Sequence, residues 1–306
     1  MHILHGTAAP FPSSLCLLAT WDAFDEGPCH LEHRQLTHRR RKYWFEAARA
    51  QAKANGIRKP GESRWAPLGA CATQTQLMRA QRRARRRQTV VWTSMAVQDR
   101  VALIWTLQSL AAAGLDPATI WIVDIPGPTS PAFLGPDQLL AAYAGARRAD
   151  RHVINEAVAM WRAFAARSPT TIARLAGRSS IPALDLTPIV RLYSDTLPQY
   201  RARQLYISRI DEAVLEPFST DAGIPVARAV GRVVSQPSWP HGDGFVFDRI
   251  LAWMSTRAEL FERLSNRGDP FRKAIYRLTS TGHAVLTRGL DRVSDAPPCW
   301  IGGYLA

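Results

Sequence analysis

The chain has 306 residues, of which 46% are hydrophobic and 21% charged, and its formal net charge is +14 at pH 7. This length suits two ordinary domains, and this composition excludes a largely disordered chain. No run of about 18 apolar residues occurs, so the sequence predicts no membrane span and no membrane partner. The first residues lack the pattern of a secretory signal, and four widely spaced cysteines suit a reducing compartment. We therefore expect a cytoplasmic protein.

Short apolar runs in the first half of the chain predict buried strands. They are Met1–His5, Leu15–Thr20, Thr89–Thr93 and Thr119–Asp124. Between the last two, residues 98–113 repeat apolar side chains at helical spacing, and Gly114 follows them. Strand, helix and strand joined by short loops predict an α/β domain over residues 1–150, with an open, mostly parallel sheet of four or five strands.

Helical patterns dominate the second half. The segments 134–144, 153–166, 170–176 and 188–196 predict helices, and we assign residues 151–204 to a helical bridge. Three further helical segments follow at 208–217, 225–234 and 244–255, then a strand at 271–278 and a helix at 279–288. This order predicts a winged-helix-like α+β domain over residues 205–306.

A basic segment, residues 34–87, carries the whole excess of positive charge. It holds 16 Lys and Arg residues against two acids, whereas the rest of the chain has 23 basic and 23 acidic residues. A segment with so many like charges repels itself unless an anion neutralises it. We therefore expect contact with nucleic acid or another polyanion through Arg82, Arg83, Arg85, Arg86 and Arg87, with a solvated basic face as the alternative.

Motifs at both ends of the chain resemble those of a known family. The segments HILHGTAA at residues 2–9, WDAFDEGP at 21–28 and PPCWIGGYL at 297–305 are similar to the bacterial family of domain of unknown function 1835. The resemblance implies an α/β domain followed by a winged-helix-like domain, and no established reaction. Where that family has Asn-Gly-Asp-Ser, this chain has His5-Gly6-Thr7-Ala8, and Thr93–Ala96 replaces a Glu-His-Asp triplet. Either the chemistry differs here or this member has lost it.

A polar crevice is expected where the predicted parallel strands end, because ligands of open α/β sheets lie outside the carboxyl ends of the strands. This reasoning selects as ligand-binding candidates Gly6, Thr7, Asp25, Glu26, Gly27, Ser94 and Gln98. The alternative is that Asp22 and Asp25 only cap turns or a helix.

Two functional classes stay open at this point. The first is a binding protein for a small polar or nucleotide-like molecule. The second is a hydrolase or transferase, with His5, Asp22 and Asp99 as the catalytic candidates. The glycine motifs for dinucleotides and phosphates and the serine motif GxSxG are all missing, so no cofactor is predicted. Cys29, His30, His33 and His38 lie close together but without zinc-site spacing, so no metal is predicted either.

The third helix of the predicted winged-helix-like domain is a poor reader of DNA bases. Its main polar residues are Asp243, Asp248 and Arg249, whereas major-groove contacts favour Arg, Lys, Asn or Gln. Basic residues occur instead in the predicted wing, at Arg272, Lys273 and Arg277. We interpret this domain as a packing module.

Overall fold

The computed structural model of the protein describes residues 2–5, 17–20, 42, 46, 49–50, 53–54, 88–127, 129–166, 168–179, 181–201, 204–236, 239, 241–290, 296–301 and 304–305. Contacts divide the chain into two units. The first contains Met1–Lys42, Pro67–Leu192 and Trp300–Tyr304, and the second contains Tyr43–Ala66, Tyr193–Cys299 and Leu305–Ala306. Helices are combined with small sheets, so the class is α/β or α+β, in agreement with the sequence.

A five-stranded sheet organises the first unit. Its strands are β1 (His2–His5), β2 (Leu17–Thr20), β3 (Thr89–Ser94), β4 (Ile120–Ile125) and β5 (Arg147–Arg148), in the order β2-β1-β3-β4-β5. The first four run parallel, and β5 pairs antiparallel with β4. Every residue of β3 is buried, which explains why its sequence does not alternate between polar and apolar residues. The four predicted strands are therefore confirmed, and β5 is an addition.

Among the described residues, four helices lie wholly within this unit. They are α1 (Val97–Ala112), α2 (Pro136–Ala144), α3 (Arg151–Phe164) and α4 (Pro169–Leu175). The Asp150 side chain caps α3 by accepting from Val153 N at 2.8 Å, and the apolar face of α3 packs on α1. The helix α5 (Thr187–Thr196) contains the boundary between the units.

The division by contacts places α3 and α4 in the first unit and divides residues 151–204, expected as a helical bridge, between the two units.

In the described part of residues 209–288, the second unit has three helices, a three-stranded antiparallel sheet and a closing helix. In chain order these are α6 (Arg209–Leu215), β8 (Ile224–Pro225), α7 (Val226–Val234), α8 (Asp243–Thr256), β9 (Phe261–Arg263), β10 (Ile275–Leu278) and α9 (Ser280–Arg288). The sheet order is β8-β10-β9. Two short strand pairs complete the elements: β6 (Gln199–Arg201) with β7 (Gln204–Tyr206), and β11 (Trp300–Ile301) with β12 (Tyr304–Leu305).

The predicted helices at 208–217, 225–234, 244–255 and 279–288 are confirmed within one to two residues, and the strand at 271–278 is shorter than predicted. Within the described part of the chain, no helix is both long and apolar enough to cross a membrane.

Candidate functional site

The strand order of the first unit places a switch point between β1 and β3. The chain passes from β1 to β2 on one side and reaches β3 on the other, so the connections leave β1 and β3 in opposite directions. In open α/β sheets this divergence opens a crevice at the carboxyl ends of the two strands, where ligands bind. His5 is the last residue of β1, and Ser94 is the last residue of β3.

A row of polar residues crosses the sheet at this end. His5 is paired with Thr20 of β2, and Thr93 of β3 is paired with Asp124 of β4. Ile3 is paired with Val91, so continuing the register two residues further brings His5 level with Thr93. The predicted convergence of polar residues at the strand ends thus has a backbone basis for these four positions.

The loops after β3 and β4 are joined by a main-chain hydrogen bond. Met95 N donates to Gly127 O at 2.9 Å. Gly127 has a φ of 87°, which residues other than glycine rarely adopt. The two loops therefore hold one another at the carboxyl edge of the sheet.

Ser94 and Asp99 form a closed pair at the start of α1. Ser94 Oγ donates to Asp99 Oδ2 at 2.5 Å and accepts from Ala96 N at 3.1 Å, while Thr93 Oγ1 donates to Asp99 O at 3.2 Å. Ser94 is fully buried and Asp99 is 3% exposed. These hydrogen bonds stabilise the turn from β3 into α1. The helix dipole also favours the Asp99 carboxylate at this N-terminal end of α1. A ligand in solution would reach the Asp99 carboxylate only if this turn opened.

Arg100 and Asp124 form an ion pair beside this turn. Arg100 Nη2 lies 3.0 Å from Asp124 Oδ1, and Arg100 Nη1 donates to Ala183 O at 2.5 Å. Within the part of the chain that the structure describes, Arg100 Nε and Asp124 Oδ1 have no hydrogen-bond partner, so the contact between the two side chains is an ion pair. The Arg100 side chain is 1% exposed, whereas that of Asp124 is 29% exposed.

The environment shifts both members of the pair toward neutrality. Burial raises the pKa of Asp124 above its usual value, although Arg100 opposes this shift. Burial also lowers the pKa of Arg100, against the attraction of Asp124, and a guanidinium keeps its proton at physiological pH all the same. Asp124 is thus a partly accessible carboxylate, fixed by a buried cation, at the carboxyl end of β4.

The structure describes only some of the residues predicted as a site. Gln98 is half-buried in the first turn of α1, close in sequence to the closed pair of Ser94 and Asp99. His5 is placed by its backbone at the end of β1. The other predicted positions lie outside the described residues: Gly6, Thr7, Asp22, Asp25, Glu26, Gly27, Arg82, Arg83, Arg85, Arg86 and Arg87.

Sequence reasoning missed Arg100, which is the only basic residue of α1 and directly precedes the apolar run Val101–Trp105. A charged residue inside such a run requires a buried partner, and Asp124 at the end of the next strand was the signal that could have identified it.

A second buried network lies within the second unit. Arg249 Nε and Nη2 donate to the two oxygens of Asp211 at 2.5 and 2.8 Å, and Ser208 Oγ and Trp253 Nε1 donate to the same carboxylate at 2.8 and 2.7 Å. Arg249 Nη1 also donates to the carbonyls of Pro297 and Pro298 at 2.7 and 3.0 Å. The carboxylate and guanidinium are both buried, and their hydrogen bonds join α6, α8 and the segment before β11.

This network corrects the sequence-based description of α8. Arg249, one of the main polar residues that the sequence gives for this helix, is 5% exposed and bonded internally. Arg277, one of the basic residues of the predicted wing, is paired with Glu262 at 2.8 Å. The exposed residues of α8 are Asp243, Ser255 and Thr256, none of which is an Arg, Lys, Asn or Gln.

No three His, Cys, Asp or Glu side chains come together as a metal site among the described residues. Comparisons of the chain with protein-family models, curated proteins and solved structures give no match.

Proposed function

We propose that the chain is a binding protein whose first unit takes a small polar or nucleotide-like ligand at the carboxyl ends of β1 and β3. The observation that carries this proposal is the strand order β2-β1-β3-β4, with its reversal between β1 and β3. Doubly wound sheets with this order bind ligands at that point, whatever their chemistry.

The chemistry of the described residues supports a polar ligand. Gln98 supplies an amide in the first turn of α1, where the helix N-terminus also favours an anionic group such as phosphate. Asp124 supplies a partly exposed carboxylate at the end of β4, suited to accept bonds from hydroxyl or amino groups. The remaining ligand contacts that we propose, at Gly6, Thr7, Asp25, Glu26 and Gly27, rest on the sequence.

Isothermal titration calorimetry of the full chain with adenosine, guanosine, cytidine and uridine 5′-monophosphates tests the proposal. We expect at least one nucleotide to bind, with weaker binding of the matching nucleoside and of inorganic phosphate alone. Gln98→Ala should weaken the bound nucleotide by about 2- to 12-fold, the value of one hydrogen bond of about 0.5–1.5 kcal/mol. The matched control is Gln108→Ala, the same substitution near the other end of α1.

Two outcomes would overturn the proposal for nucleotide-like ligands. One is the absence of measurable heat for all four nucleotides at millimolar concentration. The other is an affinity that Gln98→Ala and Gln108→Ala leave equally unchanged. A nucleotide held only by the basic segment would show the second outcome and would also be released by moderate salt.

We also propose that residues 34–87 contact a polyanion. The charge count supports this second activity, because all of the +14 excess belongs to that segment. Of its residues, the structure describes Lys42, Glu46, Arg49, Ala50, Lys53 and Ala54, all of them helical, and the side chains at 42, 46, 49, 50 and 53 are exposed.

The order of elements in the second unit supports a winged-helix assignment. Three helices, α6, α7 and α8, precede the β9–β10 hairpin, and the short strand β8 before α7 pairs with β10. The winged-helix assignment, a cytoplasmic location and divergent membership of the family of domain of unknown function 1835 are proposals that rest on the order of elements and the sequence motifs.

A further inference from the structure

The exposed side of α7 is basic or small except at Val234. Its buried side consists of Val226, Ala229, Val230 and Val233, which belong to the core of the second unit. Arg228 and Arg232 are exposed one turn apart on the other side, and the helix contains no acidic residue. Within the described residues, neither arginine makes an ion pair with a carboxylate.

Small residues lie beside the two arginines. Ala227, Gly231 and Ser235 are exposed at intervals of four residues, and a Cβ at Gly231 would meet nothing within 4 Å. Residues four apart on a helix are neighbours on one face. This row therefore forms a flat strip along which another backbone can approach α7 closely while Arg228 and Arg232 reach out beside it.

The β9–β10 connection brings further basic residues to the start of α7. Val226 N donates to Ala274 O at 3.1 Å, and Ala227 N donates to Arg272 O at 2.9 Å. Lys273 lies between these two acceptors and is exposed. The Arg272 guanidinium lies 4.5 Å from the centre of the Phe247 ring, which orients its side chain.

We propose that this basic face, made by Arg228 and Arg232, the strip of small residues beside them and Lys273 near the start of α7, contacts the phosphate backbone of a nucleic-acid duplex without reading its sequence. The two arginines are separated by about 6 Å along the helix axis, at about 1.5 Å per residue. That length corresponds to about two phosphates of one duplex strand at about 3.4 Å each. Backbone contact needs cations and close approach, whereas α8 offers neither an exposed cation nor an exposed amide for base contacts.

A duplex explains the face better than a membrane does. Val234, 37% exposed, is the only large apolar side chain that the exposed side of the described helix presents. Membrane-surface helices carry a broad apolar face next to their basic residues, and here the apolar face of α7 is buried in the core of its own unit.

The test compares full-length proteins in fluorescence-anisotropy titrations with two 20-base-pair DNA duplexes of unrelated sequence at several salt concentrations. Arg228→Gln/Arg232→Gln should reduce the slope of log affinity against log salt by about 1.8, at about 0.9 for each lost phosphate contact. The reduction should be equal for both duplexes, and Lys273→Gln should reduce the slope by about another 0.9. Thermal unfolding should not change, because exposed arginines without partners contribute little stability.

The matched control is Arg174→Gln/Arg178→Gln in the first unit. It removes two exposed arginines that are also four residues apart, with the same change of net charge. Equal slopes in the two double variants would overturn the proposal, because net charge alone would then explain the change. The comparison is repeated in a protein in which the basic segment carries Gln in place of Arg82, Arg83, Arg85, Arg86 and Arg87. If the face acts independently of that segment, Arg228→Gln/Arg232→Gln still reduces the salt slope by the same amount in this background.

Two further results would contradict the proposal. A reduction confined to one duplex would indicate base reading. A loss of binding to vesicles of phosphatidylserine and phosphatidylcholine, with duplex binding unchanged, would assign the face to a membrane surface.

Discussion

The buried pair of Asp211 and Arg249 gives the sharpest prediction of stability. Arg249→Met removes the donors to both carboxylate oxygens and to two main-chain carbonyls, while the Asp211 side chain stays 1% exposed. Breaking a buried ion pair from one side costs about 3–5 kcal/mol. Because Ser208 and Trp253 still donate to Asp211, we expect the lower end, about 3 kcal/mol. That loss corresponds to a little over 100-fold in the unfolding equilibrium of the second unit.

Hydrogen exchange followed by mass spectrometry measures this loss in peptides from α6 and α8, because it reports the opening of one unit without requiring that the whole chain unfold in a single step. Arg257→Met is the matched control, since its ion pair with the exposed Glu259 lies in a turn and its loss should cost less than about 1 kcal/mol. Exchange in Arg249→Met within about threefold of the native rate would refute the reasoning. If that variant does not fold, Asp211→Leu/Arg249→Met should recover stability, because replacing both charges by apolar groups is often neutral.

Three further predictions concern other parts of the chain. Burial raises the pKa of Asp124 above 3.8, so the native state binds this proton more readily than the unfolded state, and the stability of the native protein relative to Asp124→Asn should increase as pH falls through the raised pKa and level off below 3.8. Chemical denaturation from pH 7 to pH 3 checks this expectation. A decrease in relative stability over that range would show that Arg100 outweighs desolvation. Gly289→Ala should destabilise the second unit by about 2–5 kcal/mol in urea unfolding, because the φ of Gly289 is 89° and a Cβ there would lie 2.0 Å from Leu205 O. Gly114→Ala is the control and should cost about 1 kcal/mol, because Gly114 has a φ of 71° but open space around the added Cβ. Equal costs for the two variants would contradict the steric argument. Replacing Arg82, Arg83, Arg85, Arg86 and Arg87 by Gln should flatten the salt dependence of duplex binding by up to about 4.5 in slope, and a native protein without salt-sensitive binding would show that these arginines are a solvated surface.

The sequence predicted the elements that have a strong apolar pattern. The first four strands and α1 were found because runs such as Thr89–Ser94 are buried along their whole length. The strand β5 was missed because it consists of two exposed arginines, and β9 was missed because its three residues include two charges. The predicted strand at 271–278 begins only at Ile275, since a turn closed by Ala274 N donating to Pro270 O precedes it.

The site was less predictable than the fold, because its partners depend on register and burial. The row of His5, Thr93 and Asp124 follows from strand order, which topology rules restrict but do not determine. The role of Arg100 depends on a carboxylate in a different element, and sequence spacing does not reveal that pairing. In the same way, α8 was expected to expose Arg249, which it instead directs at Asp211, and the basic face lies on the preceding helix.

The network around Arg249 also has a consequence for the order of events during synthesis. Pro297 follows Arg249 by 48 residues, so a ribosome adding about 5–20 residues per second needs about 2–10 seconds to supply this acceptor. During that interval Asp211, Ser208 and Trp253 have already been synthesised. The Arg249 guanidinium can therefore pair with the Asp211 carboxylate before the carbonyls of Pro297 and Pro298 are available to Nη1. Until Pro297 and Pro298 are added, Arg249 Nη1 lacks these two acceptors, so the full set of hydrogen bonds to the guanidinium requires this later segment of the chain.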